Sequence, residues 1–301
     1  MSYDYTTVGH VTVDVMPDGS RQAGGTALYS ALQASRLGLR TLILTQGVPG
    51  EIEALLGAHR AEFDLEIAPS RQTTTLATSG AGLQRSQRVL AWAGELAGDL
   101  AVDSAILHLA PVARETPARW LGQSSFLGLT PQGLVRAWTS GELDGLAAGD
   151  GQGPGRDAPG VLSLVSPSAQ AELVAERCDA VVLSEYERAG ASSLIAAATR
   201  AGAAVAITNG GKPGTLIAPD GTRAQLSVAR IEQPRDDLGA GDVFAAAFFV
   251  ALSEGQSIAA AGAFANAAAA VRIQGSGIEA IGDRSAIEAR LRAPAPAPGP
   301  R

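Results

Sequence analysis

The sequence predicts an α/β protein built on a mainly parallel sheet with helices on both faces. Two observations carry this reading. Short apolar runs, among them Thr41–Thr45, Ala105–Leu109, Ala180–Leu183 and Ala203–Thr208, alternate with helical stretches, the βαβ rhythm that leads to parallel pairing. Those runs are apolar with little alternation, as strands covered on both faces require. With 301 residues, the chain is long enough to bury a sizeable core.

Taken in order, Tyr5–Val15 reads as a strand with Gly9 inside it, and Gly24–Gly38 as a helix opened by a glycine pair and closed by a glycine. Thr41–Thr45 is a short buried strand. Leu65–Ile67, Thr73–Thr78 and Arg88–Trp92 mix β-branched and polar residues and read as extended. Ala105–Leu109 and Phe126–Thr130 are strands ending in the turns Ala110-Pro111 and Pro131-Gln132-Gly133. Gly149–Gly160, GDGQGPGRDAPG, is a flexible loop by composition. A helix over Ser192–Ala201 separates the strands Ala180–Leu183 and Ala203–Thr208. Thr215–Ala218 and Ala224–Val228 flank PDGT, a hairpin signal. Helices follow over Gly241–Ser253, Ser257–Ile273 and Ser285–Leu291. No internal boundary is visible, so residues 1–292 form one expected domain, with the Pro-rich 293–301 as a disordered tail.

Composition narrows the function. Hydrophobic residues make up 46% and charged residues 18%, the balance of a globular chain. Net charge is −7 and the basic residues are scattered, which argues against a nucleic-acid partner. No apolar run reaches the roughly 20 residues of a membrane span, and MSYDYTTVGH lacks a signal-peptide pattern, so a soluble cytoplasmic protein is expected. Cys178 stands alone, so no disulfide framework exists. His10, His59 and His108 have neither metal nor triad spacing, and His10 and His108 are expected to be structural.

The informative stretch is RDDLGAGDVFAAAFF, residues 235–249. Gly239-Ala240-Gly241 lets the backbone turn tightly, and Asp242 then opens an apolar helix. Amides at a helix start attract an anion. A carboxylate among them has a task if the anion is transient: it takes the proton of an attacking hydroxyl while the amides hold a transferring phosphoryl group. An ordinary helix N-cap is the competing reading. A dinucleotide fingerprint fails because Phe244 stands where its third glycine belongs, and no Walker-A loop occurs.

DDLGAGDVFAAAFF resembles the C-terminal signature of the ribokinase-like (PfkB-type) carbohydrate kinases, roughly D-T-x-G-A-G-D. The resemblance implies a ribokinase-like three-layer sandwich with a small, reduced β lid. It also implies Asp242 as catalytic base and Gly239, Ala240 and Gly241 as the anion hole. GGTALYSALQASRLGLRT resembles the N-terminal signature, with Gly24 and Gly25 under the substrate and Asp14, at the end of the first strand, accepting substrate hydroxyls. Segments 14–24 and 72–92 would form the lid. VVLSEYE resembles the family's N-x-x-E, with Ser184 and with Glu187 acting through water on magnesium. AITNGGKPGTLI resembles the nucleotide loop, placing Thr208, Gly210 and Gly211 against ATP. FANAAAAVRIQGSG resembles the helix near the adenine, with Asn266 facing it. GLTPQGLVR resembles a nucleoside- and inositol-kinase branch and makes Arg136 a substrate contact. The chain departs from the pattern at Tyr29, Ser184 and Asp237, where the family carries Asn, Asn and Thr, and its 208–214 loop is longer than the pattern by one residue.

The expected protein is therefore an ATP- and Mg2+-dependent kinase of a small sugar or polyol. A monovalent cation as a further cofactor and a homodimer are left open. Alternatives are a nucleoside or inositol kinase of the same fold, or a non-catalytic nucleotide- or sugar-binding regulatory homologue.

Overall fold

A computed structural model of the chain describes residues 2–80, 85–96, 102–116, 123–138, 160–228, 231 and 234–292. Most of the 149–160 loop, the 293–301 tail and residues 81–84 of the second lid segment lie outside the described residues. In chain order the elements are β1 (Tyr3–Val8), β2 (Thr12–Val15), β3 (Arg21–Gly24), α1 (Thr26–Arg36), β4 (Thr41–Gly47), α2 (Pro49–Leu56), β5 (Asp64–Pro69), β6 (Thr75–Ser79), β7 (Ser86–Ala91), β8 (Asp103–Leu109) and β9 (Gln123–Leu129). They continue with β10 (Arg136–Trp138), β11 (Leu162–Leu164), α3 (Ala169–Ala175), β12 (Ala180–Ser184), α4 (Glu185–Arg188), α5 (Ser192–Arg200), β13 (Ala204–Asn209), β14 (Lys212–Ile217), β15 (Arg223–Leu226), α6 (Ala240–Ser253), α7 (Ile258–Ile273) and α8 (Arg284–Arg292).

Nine strands form the central sheet in the order β15-β14-β13-β12-β9-β8-β1-β4-β5. It is parallel from β13 to β5, and the PDGT hairpin adds β14 and β15 antiparallel at one edge. One core lies under α1, α6 and α7, the other under α3 and α5, so the molecule has three layers. The centre of the first core is α6, buried at every position from Val243 to Ala251. Such an all-apolar helix is stable only inside a core. Among the described residues no helix is long and apolar enough to cross a membrane.

The expected single strand Tyr5–Val15 is two strands in two sheets. At Gly9 the backbone passes so close to Ala110 that a Cβ would stand 2.2 Å from its carbonyl oxygen. The chain there leaves the central sheet, and side chains replace ladder partners: His10 N donates to Glu115 Oε1 at 3.0 Å and Val11 N to Thr45 Oγ1 at 2.8 Å. The helix expected from Gly24 starts at Thr26, because Gly24 ends β3 and Gly25 caps α1.

The segments expected to form the lid lie in a second sheet of four strands, β3-β2-β6-β7. The short 14–24 segment supplies its β2–β3 hairpin, and 72–92 supplies β6 and β7. The antiparallel pair β10–β11 extends it through a bridge between Arg88 and Val161. Beneath it Leu76, Val89, Val112 and Ala113 form a small separate core with Trp92 and Trp138, whose rings meet edge-on at 5.4 Å. The sequence reading lacked α2, α3, β3, β10 and β11. Pro49 at the first turn of α2, and Ser168 accepting from the Ala171 amide at 3.2 Å before α3, are start signals that were present in the chain.

Packing of α6 on the sheet leaves no room at Gly128 of β9: an added Cβ would lie 2.5 Å from the Phe249 ring, which itself packs edge-on to His108 at 4.9 Å. Gly128→Ala is therefore expected to lower stability by about 1–3 kcal/mol, the usual cost of overpacking. Urea unfolding checks this, and an unchanged midpoint would mean that α6 yields freely against β9.

Candidate active site

α6 begins where the backbone turns left-handed at Gly239, with φ at 76°. A Cβ there would lie 2.2 Å from the Tyr29 ring. Only glycine satisfies both the turn and that approach. Within the turn Ala240 N donates to the Asp237 carbonyl at 3.2 Å, while Asp242 N and Val243 N donate to the Gly239 carbonyl at 3.1 and 3.0 Å. Gly241 is exposed, with nothing within 4 Å of where its Cβ would stand. The open side of the turn is thus at Gly241, whereas the Ala240 amide already serves the turn itself.

Asp242 sits at this helix mouth, half-buried. Burial pushes its carboxyl up to about 7. A hydrogen bond from Thr26 and the charges of Arg136 and Arg85 pull it down, and the charge of Glu187 pushes it further up. Thr26 is the first residue of α1, so the glycine signature and the GAGD turn meet at this point. With its amide oriented to satisfy both ends, Gln132 donates to Thr26 Oγ1 at 3.2 Å and accepts from Arg136 at 2.8 and 3.2 Å. Arg136 also pairs with Glu187 Oε1 at 3.0 Å and donates to Gln87 of the lid at 3.2 Å. Arg136, expected to contact substrate, therefore joins the lid to Glu187 beside the base.

Asp14 is buried on β2, within the smaller sheet. Burial pushes its carboxyl up to about 6, against a hydrogen bond from Thr12 (2.9 Å to Oδ1) and the charge of Arg85. Gly24 faces it across the hairpin, where a Cβ would stand 2.2 Å from Asp14 Oδ2. Gly25, at φ 95°, would press a Cβ to 2.3 Å from the His10 carbonyl. The Gly-Gly pair thus admits the Asp14 carboxylate and the crossing main chain. Arg85, at the start of the last lid strand, bonds to Asp237, so the position where the family pattern carries Thr is an ion-pair partner of the lid.

Glu187 is buried at the start of α4 in a capping box. Its Oε2 accepts from Ser184 N at 2.8 Å and Ser184 Oγ at 2.7 Å. Ser184 pairs with Thr208 across β12 and β13 at the carboxyl ends of both strands. Thr208 Oγ1 reaches the Leu183 carbonyl at 3.4 Å. Gly210 and Gly211 follow at an exposed turn with open space around both, and Lys212 begins β14, exposed. Asn266 on α7 donates its amide to the Ser227 carbonyl. Thr208 thus adjoins the Glu187 group, whereas Asn266 is tied to the end of the β14–β15 hairpin.

Among the described residues no cluster of three His, Cys, Asp or Glu could hold a metal ion by itself. The donor set fits a magnesium ion that arrives on a polyphosphate, for which one or two carboxylates are enough. Glu187 is the candidate. Because Ser184 holds one of its oxygens and Arg136 the other, its contact with the ion would run through water.

Sequence reasoning missed Thr26, Arg85, Gln87 and Glu115. Glu115 is a buried carboxylate accepting from the amides of His10, Val112 and Ala113 at 3.0, 2.7 and 2.6 Å. It fixes the crossing at Gly9 and the loop after β8. Two of its partners, the Val112 and Ala113 amides, are close in sequence, but the third, His10, lies 105 residues away, and no local pattern announces that bond. His108 lies between Tyr5 (2.9 Å) and Thr130 (2.9 Å), and burial lowers it to about 3, so it stays neutral. His10 accepts or donates at Thr74 Oγ1, 2.7 Å away. Both are structural, as expected. Burial pushes the Cys178 thiol up, which leaves it unreactive.

Residues 161–282 match the pfkB family carbohydrate kinases. No curated protein sequence matches the chain. Among solved structures, a pyrophosphate-dependent kinase in the ribokinase family, complexed with a pyrophosphate analog and myo-inositol, superposes with TM-score 0.71 at 20% identity over 92% of this chain and 98% of its own. A ribokinase of Arabidopsis thaliana, complexed with ribose and ATP, gives 0.68 at 19% identity over 98% and 100%. A nucleoside kinase of Methanocaldococcus jannaschii gives 0.69 at 15% identity over 96% and 98%. At such identities the likeness speaks for the fold, the expected three-layer ribokinase sandwich.

Both raised carboxyls have a stability consequence. Each binds its proton more tightly folded than unfolded, where the ordinary value is 3.8. Their contribution is complete below about pH 4 and is lost as pH rises through about 6 for Asp14 and about 7 for Asp242. Asp242→Asn is therefore expected to be more stable than wild type at pH 8, by on the order of 2 kcal/mol, with the gain shrinking toward pH 5. Thermal melts at the two pH values check this; a gain equal at both would remove the ionisation argument.

Proposed function

We propose that the chain is a ribokinase-like carbohydrate kinase of the PfkB type, an enzyme that moves a phosphoryl group onto an alcohol, and that it phosphorylates a hydroxyl of a small sugar or related polyol from ATP with Asp242 as base. The observation that carries this is the meeting of Asp242 and Thr26 at the Gly239–Gly241 turn, beneath a lid that holds a second buried carboxylate, Asp14.

The acceptor lies under the lid between Asp14 and Asp242. Asp14 accepts its hydroxyls, and Gly24 and Gly25 make room for the Asp14 carboxylate and the His10 carbonyl in place of side chains of their own. A base with a value near 7 is half-ionised at neutral pH yet still basic enough to take a hydroxyl proton. Asp242 removes that proton as the oxygen attacks. The open main chain at Gly241 and the guanidinium of Arg136 face the charge that then develops on the phosphoryl oxygens. Magnesium, when bound with the phosphates, neutralises their charge; Glu187, held by Ser184, orients its water. Thr208, Gly210 and Gly211 line the donor side at the strand ends, where ligands of such sheets bind, and Asn266 borders it from α7. The lid's own apolar core, with Trp92 and Trp138, excludes water that would compete with the acceptor.

A nucleoside or inositol acceptor fits the same chemistry, and the myo-inositol complex among the structural neighbours favours testing it. The test is a panel of sugars, polyols, inositols and nucleosides, each with ATP and with pyrophosphate as donor, followed by phosphorylated product. ATP-dependent phosphorylation of a sugar or polyol is the expected result. No product with any pair, despite ATP binding, would instead indicate the binding homologue. With the active pair, Asp242→Asn is expected to lower kcat by roughly 10²–10⁴-fold while leaving ATP affinity within about threefold. Wild-type kcat/KM should rise with pH to a plateau above about 7. Near-normal turnover in Asp242→Asn would overturn the base assignment.

A further inference from the structure

Arg272, on α7, is fully buried, yet its guanidinium does not end in apolar core. It ends on the segment that leads into the Gly239 turn. Nη2 donates to the Leu238 carbonyl and to Asp236 Oδ2, both at 2.7 Å. Nη1 donates to the carbonyls of Asp236 at 3.3 Å and Gly275 at 3.2 Å. Asp236 accepts in turn from the Leu238 amide at 2.9 Å and the Gly277 amide at 3.1 Å. Burial alone would push the Asp236 carboxyl up; the bonds from Arg272, Leu238 and Gly277 outweigh it and hold the group below the usual carboxylate range. Above the guanidinium lies the Tyr29 ring, 5.6 Å from Cζ, the same ring that fills the space beside Gly239.

Both terminal nitrogens of this buried guanidinium are occupied, while its Nε has no hydrogen-bond partner, and the oxygens around those two nitrogens have a specific consequence. Three carbonyl oxygens and one carboxylate are the hard donor set in which a hydrated monovalent cation exchanges its water for protein oxygen. Here that set is already satisfied by a cation attached to the chain. We infer that Arg272 is the internal cation of the anion turn. It is a positioning residue that fixes residues 236–239, and through them the Gly241 main chain and Asp242, and it makes phosphoryl transfer independent of any added monovalent cation. The turnover arm rests on the kinase reading; the arm on main-chain order does not.

Turnover is measured with Na+, K+ or tetramethylammonium as sole monovalent cation, and equal kcat within about twofold is expected. Activation by tenfold or more on adding Na+ or K+ would overturn the inference. Arg272→Ala should lower kcat by roughly a hundredfold with acceptor KM within about threefold, with partial recovery on adding guanidinium ion. An unchanged kcat, or KM rising in its place, counts against it. In ligand-free protein, amide exchange at 238–242 should quicken at least about tenfold in Arg272→Lys while β12 and β13 keep their protection. Equal exchange would overturn the inference even if Arg272→Ala fails to fold. If no acceptor is ever phosphorylated, the kinase reading fails and this last comparison still decides on Arg272.

Discussion

The contact on which the active site depends is the Tyr29 ring lying flat against a glycine. Because Gly239 has no side chain, α1 and α6 come together at their amino ends, and the first residues of both helices meet. That meeting puts Thr26 on Asp242 and sets the base into low-dielectric surroundings. A larger residue at position 239 would separate the helices and also forbid the left-handed turn. The identity of Tyr29 then follows from packing. The family pattern carries Asn there, and this chain replaces a polar side chain with a ring that braces the turn from one side while Arg272 holds it from the other.

Charge explains how so many carboxylates share one cleft. Asp14, Glu187, Asp236, Asp237 and Asp242 would repel one another and resist ionisation if left alone. Each of four meets an arginine: Glu187 with Arg136, Asp237 with Arg85, Asp236 with Arg272, and Asp14 with the charge of Arg85. Asp242 has the Thr26 hydroxyl and only the charges of Arg136 and Arg85, and burial holds its carboxyl up at about 7, above the value of about 6 for Asp14. A carboxyl value near neutrality is what the proposed proton transfer from an alcohol needs. Arg85 and Arg136 also tie the lid to the body of the molecule. Arg85 comes from the residue before β7 and holds the turn, whereas Arg136 opens β10 and holds Gln87 of β7.

The parallel sheet was legible because burial on both faces writes itself as unbroken apolar runs, and the GAGD turn because glycine, small residues and a carboxylate together have few uses. The position of Asp14 was legible too, at the end of an early strand. What the chain concealed were interactions made at long range by main-chain atoms. The strand Tyr5–Val15 read as continuous because nothing in VGHV announces that Glu115, more than a hundred residues on, will take over the ladder bond of His10. The short strands β10 and β11 have no alternation to detect at three residues each. Arg85 was passed over as one polar residue among many, since its meaning lies in Asp237, on the far side of the sequence.

The departures from the family pattern, taken one at a time, read as losses. In three dimensions each has a partner. Ser184 is shorter than Asn, yet its hydroxyl and amide both grip Glu187, so the carboxylate is oriented by the capping box itself. Asp237 adds a negative charge near the phosphate path, yet that charge meets Arg85. Tyr29 removes an amide from the substrate side, yet its ring supports the turn that makes the anion site. A chain drifting toward a non-catalytic role has no reason to keep such pairs, because an unpaired half of any of them costs stability without serving a ligand. The coupling of each replacement to a second residue of the same cleft is therefore an argument that the cleft still performs chemistry, and that what changed is the route by which its parts are held in place.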